Sequence, residues 1–150
     1  MKKTALLLAL LLVSCTSDPI GPDGLYPGYS LLTINGQVIP APDGDIPDGA
    51  EIISASLAFP RPDRSRGDQS QLVSYTRWIR MADQTVERLT LQLDYTVADG
   101  ELRVNLCPPL ALCILTTELI GQVDARELLL THFLAGQAQA VYRYEAALPE

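Results

Sequence analysis

Hydrophobic and polar positions alternate along most of this chain, and the alternation predicts strands. The cleanest stretch is Val86 to Val97, where Leu89, Leu91, Leu93, Tyr95 and Val97 alternate with Arg88, Thr90, Gln92, Asp94 and Thr96. Side chains of a strand point to opposite faces in turn, so a period of two gives one apolar face and one wet face. That pattern marks an antiparallel strand with one solvated side, and it predicts that the apolar set faces the interior. Ile52 to Phe59 repeats it, with Ile53, Ala55, Leu57 and Phe59 predicted on one face and Ser54 and Ser56 on the other.

The remaining strands are read from their punctuation. Tyr29 to Ile34 ends at Asn35-Gly36, a strong two-residue hairpin signal, so Gln37 to Pro40 is expected to fold back briefly. Gln71 to Met81 is a strand with Trp78 near its end, and Ala82-Asp83-Gln84 turns it into Val86 to Val97. Ala98-Asp99-Gly100 leads into Leu102 to Leu106. Pro108 and Pro109 cannot continue a central ladder, so a connection is expected there and a new strand from Ile114 to about Val123. Glu127 to Phe133 and Ala138 to Ala146 complete the set, divided by a turn at Gly136.

Asp124 to Gly136 reads in two ways. Asp124 followed by Glu127 resembles a capping box, and Gly136 would stop a helix. However, Val123 to Leu130 echoes Val97 to Val104, which reads as a hairpin, and the strand reading is adopted. The result is an all-β chain of about eight sequential strands. Such a chain forms a sandwich or, preferably, an eight-stranded antiparallel up-and-down barrel, whose closure removes exposed edges. Its interior is either packed or holds one small ligand.

Two resemblances extend this reading. Tyr29 to Pro40, the Gly-x-x-Ile-x-Ser run at Gly49 to Ser54, and Val141-Tyr142-Arg143-Tyr144 resemble a group of small bacterial lipocalin-like lipoproteins. The resemblance implies a lipocalin-like meander barrel and no particular reaction. The opening Gly-x-Trp motif and the C-terminal helix of familiar lipocalins are missing from the sequence. At the other end of the chain, Lys2 and Lys3 precede an unbroken apolar run, Ala5 to Val13, closed by Leu12-Val13-Ser14-Cys15. The run is too short for a stable membrane span of about 20 residues. Charge, run and box in this order resemble the lipobox of bacterial lipoproteins. The implied organisation is a signal peptide at 1–14, a lipidated Cys15 with a flexible tether to residue 28, and a barrel domain at 29–150. Residue two of the mature chain would be Thr16 rather than the Asp of inner-membrane retention. The expected location is the outer membrane, facing the periplasm.

Composition narrows the partners. Without Lys2 and Lys3, nine basic residues remain, all Arg, against eighteen acidic ones, a net charge of −9. That argues against nucleic acid and against docking on anionic lipid by charge. With Cys15 lipidated, Cys107 and Cys113 are an even pair in an oxidising compartment, and a disulfide closing the Pro-rich loop is expected to contribute about 2–3 kcal/mol. A redox or metal pair is the alternative.

The remaining candidates point away from catalysis. His132, the single histidine, lies between Thr131 and Phe133 in a strand, and no Gly-x-Ser-x-Gly elbow accompanies it. A structural or surface role is expected, with mild-acid sensing as its other use. Asp43, Asp45, Asp48 and Glu51 could offer oxygen ligands to calcium, but Pro47 interrupts the ligand spacing, and a solvated, self-repelling loop is expected. Arg66-Gly67-Asp68 matches an adhesion tripeptide by letters and reads as a solvated turn. Tyr75, Trp78, Tyr95, Tyr142 and Tyr144 are candidates to line a ligand cavity, or else are core. No cofactor, resident metal or enzymatic activity is expected. Two functions remain: a barrel binding a small apolar ligand, or a packed barrel that contacts an envelope protein.

Overall fold

A computed structural model describes residues 20–21, 24–60, 71–109, 111–124 and 126–147. Cys15, the segment before it and Arg66-Gly67-Asp68 lie outside the described residues. The strands are β1 (Gly28–Ile34), β2 (Gln37–Val38), β3 (Glu51–Ala58), β4 (Leu72–Arg80), β5 (Val86–Ala98), β6 (Glu101–Asn105), β7 (Thr117–Val123), β8 (Glu127–Leu134) and β9 (Gln137–Ala146). From β3 onward each pairs antiparallel with the next, β1 pairs with β3, and β1 also pairs with β9, Tyr29 opposite Ala146 and Ile34 opposite Tyr142. Eight strands therefore close into a barrel, with β2 as a short extra strand on β1. The ambiguous segment is a strand, seated between β7 and β9.

Tight turns make the meander possible. Asn35-Gly36, Asp99-Gly100 and Ala135-Gly136 all have both central residues at positive φ, the requirement of the two-residue turn that matches strand twist. Ala135 holds φ 49° without the glycine or asparagine usual there.

The alternation in β5 is as predicted in direction but graded in depth. Leu93 and Tyr95 are buried, while Leu89, Leu91 and Val97 are half-buried. In β3 one residue changes place. Ile52 opposes Ile79 and Ser54 opposes Trp78, so Ile53 is the extra residue of a bulge. Ile52, not Ile53, is buried with Ala55, Leu57 and Phe59. The seventh strand begins at Thr117 rather than Ile114, because Ile114 to Thr116 continue the connection that leaves the disulfide loop. Part of the expected tether belongs to the domain: Leu25 and Tyr26 are buried against the barrel.

The middle of the barrel is filled. Leu57, Val73, Leu93, Leu102, Val104, Leu128 and Leu130 have no surface open to water. An eight-stranded barrel has an interior just wide enough for side chains to fill it. Strand directions define two ends. The first, the loop end, carries the β2–β3 loop, the β4–β5 and β8–β9 turns and the β6–β7 loop. The opposite end is capped by an edge-to-face chain of rings, Tyr26 on Tyr29, Tyr29 on Phe59 and Phe59 on Tyr95.

Close approach of β7 and β8 depends on Gly121. A Cβ there would sit 2.1 Å from the Leu129 carbonyl oxygen and 2.8 Å from Leu130 Cδ2. Gly121→Ala is therefore expected to destabilise by about 1–3 kcal/mol through overpacking, measured by urea unfolding. In the same assay Leu93→Ala should cost about 2–5 kcal/mol and half-buried Leu91→Ala clearly less. Gln92→Ala, on the wet face, should cost under about 0.5 kcal/mol. Equal losses at Leu93 and Gln92 would contradict the inward face of β5.

Candidate functional site

The loop end holds the barrel's buried polar groups. On β4, the inward positions are Val73, Tyr75, Arg77 and Ile79, which places an arginine among core residues. Arg77 Nη1 donates to Asp45 Oδ2 at 2.8 Å, and the arginine side chain is 13% exposed. Asp45 comes from the β2–β3 loop, which folds back over the barrel mouth. Ala41, Ile46 and Ala50 bury its apolar positions, and Ala41 exchanges both backbone hydrogen bonds with Ile52. The same loop inserts Asp43, whose Oδ2 accepts a hydrogen bond from the Tyr142 hydroxyl on β9. The acidic loop is thus a plug with two of its carboxylates engaged, not a wholly solvated, self-repelling segment.

Electrostatics follow from burial. Burial raises the Asp43 carboxyl above its ordinary value of 3.8, opposed by the Tyr142 hydrogen bond and reinforced by Asp45. Burial pushes the Tyr75 hydroxyl up to about 12. Tyr142 is raised by burial and by its bond to Asp43, and Tyr144 by burial and by the facing Tyr75 hydroxyl. The Tyr144 hydroxyl has no full hydrogen bond among the described residues. Desolvation works against the Arg77 charge, but Tyr75 and Asp45 outweigh it and raise the guanidinium.

His132 lies beside this cluster. It is buried, its Nε2 is 3.0 Å from the Thr117 hydroxyl, and its ring is 6.2 Å from that of Tyr142. Glu51 accepts from Arg80 at 2.6 Å, and Asp48 is exposed. Of the four acidic candidates, then, two are tied to inward side chains, one to a surface arginine and one faces water.

The predicted aromatic set divides. Tyr75, Tyr142 and Tyr144 converge at this end, whereas Tyr95 belongs to the ring chain at the other. Trp78 is a correction: it stands on the outer face, 40% exposed, with the Arg88 guanidinium 5.5 Å from its ring centroid. It follows Arg77 by one position, and a step of one in a strand reverses the face. Arg77 itself is not among the residues that the sequence pattern singles out. Strand parity points it inward, but its charge argues against a core position.

Beside the plug, the loop end is apolar and open. Cys107 and Cys113 form a disulfide with Cα atoms 6.0 Å apart. Within and just after this loop, Leu112 is 102% exposed, Ile114 99% and Leu115 52%. No charged residue occurs from Leu106 to Thr117. The arrangement defines a class: a closed antiparallel β-barrel with a packed interior, a polar plug and a disulfide-closed apolar loop at one end. The chain matches no protein-family model, no curated protein and no solved structure.

Asp43 yields a pH prediction. Its folded pKa lies above the unfolded 3.8, so the folded state holds the proton more tightly. The resulting stabilisation grows as pH falls through the raised pKa, is complete below 3.8, and is lost as pH rises again. Asp43→Asn has no such titration. Wild type should therefore gain stability relative to Asp43→Asn as neutral solution is acidified, as urea unfolding at a series of pH values would measure. A pH-independent difference would place the carboxyl in water.

Proposed function

We propose that this protein is a lipid-anchored lipoprotein of the cell envelope, facing the periplasm, whose barrel is a scaffold presenting the loop end to another envelope protein. The observation that carries this reading is the disulfide-closed, uncharged connection with Leu112 and Ile114 fully exposed. Monomeric proteins seldom leave contiguous apolar surface uncovered, and such patches mark interaction sites. The filled middle of the barrel supports a scaffold in preference to a carrier. The anchor belongs to the resemblance of Met1 to Cys15 to a lipoprotein signal. The described chain enters the barrel at Leu25 and Tyr26, at the end opposite the apolar loop, so a tether from Cys15 would join the domain at the far end from that loop. Catalysis is not proposed: His132 is engaged with Thr117, and Cys107 with Cys113.

A second reading has one specific support. Leu89 and Leu91 line the inner face near the mouth and are only half-buried, which fits a small apolar ligand seated shallowly there.

Two measurements test the proposal. Cys15→Ala should abolish incorporation of a labelled fatty acid, and label retained by the mutant would remove the anchor. A photo-crosslinking residue placed at Ile114 should form one discrete protein adduct in intact cells, and the same residue at Asp99, on the opposite end, should form none. Equal adducts at both positions would refute an interface at the loop end.

A further inference from the structure

The barrel wall has a notch at the loop end. β5 pairs with β4 along its length, from Val86 opposite Arg80 to Asp94 opposite Leu72. Its pairing with β6 begins only at Tyr95 opposite Val104. Val86 to Leu93 therefore carries an unpaired edge. The Tyr95 N–H donates to the Gln71 carbonyl on the β4 side. In an antiparallel ladder alternate residues bond to alternate sides, so Arg88, Thr90 and Gln92 turn their N–H and C=O groups to the notch. Among the described residues, no hydrogen bond occupies those groups.

Natural edges are commonly blunted by proline, lysine, bulges or covering segments. Val86 to Leu93 has no proline, lysine or bulge. Its inner face offers half-buried Leu89 and Leu91, and the β6–β7 loop with exposed Ile114 and Leu115 belongs to the same end. β9 also runs past β1, at Gln137 to Ala140, but that stretch is Gln and Ala and offers little apolar surface.

Charge selects the occupant. Arg77 is bonded to Asp45 and Arg80 to Glu51, while Arg88 lies over Trp78 on the outer face and keeps its charge. Asp48, Asp83, Glu87 and Glu118, at the same end, have no basic partner among the described residues. A second copy of this acidic chain would be repelled there, whereas a basic segment would be attracted.

We infer that the unpaired edge of β5 binds an extended segment of a partner protein by strand addition, a segment whose apolar residues alternate with Lys or Arg. Backbone pairing at Arg88, Thr90 and Gln92 holds it, its apolar side chains pack on Leu89 and Leu91, and the excess of unpaired carboxylates at this end attracts its basic ones. The inference rests on the loop-end interface proposed above and specifies its mode.

The test uses detergent-solubilised full-length protein and a ten-residue peptide alternating Val with Lys. Hydrogen exchange should show protection of the Arg88, Thr90 and Gln92 amides on peptide addition, and Trp78, the single tryptophan, should change its fluorescence as Arg88 is engaged. Thr90→Pro removes an edge donor without touching the β4 ladder and should weaken binding at least tenfold. Thr90→Lys leaves the backbone intact, repels a basic strand, and should weaken it several-fold, which keeps the test valid if the proline variant does not fold. Unchanged exchange at these amides with saturating peptide overturns strand addition. Peptide binding that is lost on Leu112→Ser/Ile114→Ser without edge protection overturns it too, yet leaves the loop-end interface standing. Self-association that consumes the edge, shown by a mass doubling that Thr90→Pro abolishes, replaces the basic partner with a second copy and overturns the inference.

Discussion

The pairing of β1 with β9 is the constraint on which the barrel rests. It joins the first strand to the last and turns a meander with two long open edges into a ring. Closure fixes an interior that must be filled, and the strands adjust to fill it. Leu31 opposes Tyr144 and Thr33 opposes Arg143, so Leu32 is an extra residue in β1. Ile53 does the same in β3, and Gln139 in β9. Each bulge re-aims the next residues of its strand, so that Leu31 and Ile34, or Ile52 and Ala55, both reach the core three positions apart.

Those bulges mark where the sequence stops being legible. Period-two reasoning locates β5, β6 and β9, and the Asn35-Gly36 and Asp99-Gly100 turns are visible as residue pairs. Within β3 the same reasoning chooses the wrong isoleucine, because a bulge is set by the partner strand and not by local hydropathy. At Ile114 and Leu115 apolar character suggests strand, but those residues follow the disulfide loop, outside any strand, and are exposed. For Asp124 to Gly136 helix caps are present, yet the inward set of Leu128, Leu130 and His132 has the period of a strand wedged between two others. In the site, parity alone separates Tyr75 and Arg77 from Trp78, whereas aromatic character groups the tryptophan with the tyrosines. The Asp43 to Tyr142 contact spans 99 positions, and no local pattern encodes it.

The polar plug is better understood as a device of specificity than of stability. Burying Asp43 costs desolvation that its Tyr142 hydrogen bond offsets only in part, as the raised carboxyl indicates, and the buried Arg77 Nε has no hydrogen-bond partner among the described residues. What the pair provides is register. Asp45 reaches Arg77 on β4 while Asp43 reaches Tyr142 on β9, so one short loop is fixed to two separate strands of the wall. An apolar loop could cover the mouth in many ways; a loop carrying two matched carboxylates covers it in one.

The plug seals only the side of the mouth nearest β1, β3, β4 and β9, and the notch beside β5 stays open to water. Unpaired backbone groups there incur no burial penalty, since solvent satisfies them. A strand added to the notch would exchange water for ladder bonds worth only about 0.5–1.5 kcal/mol each in net terms. Backbone pairing alone would then bind weakly and without sequence preference. Affinity must come from covering Leu89, Leu91 and the exposed residues of the disulfide loop, at about 25 cal/mol per Å² of apolar surface removed from water. Choice of partner must come from the unpaired carboxylates at the same end of the barrel. The plug is tied to β4 and β9 through Asp45 and Asp43, and the loop beside it is closed by the Cys107–Cys113 disulfide. Such ties reduce the ordering entropy that these loops lose on binding.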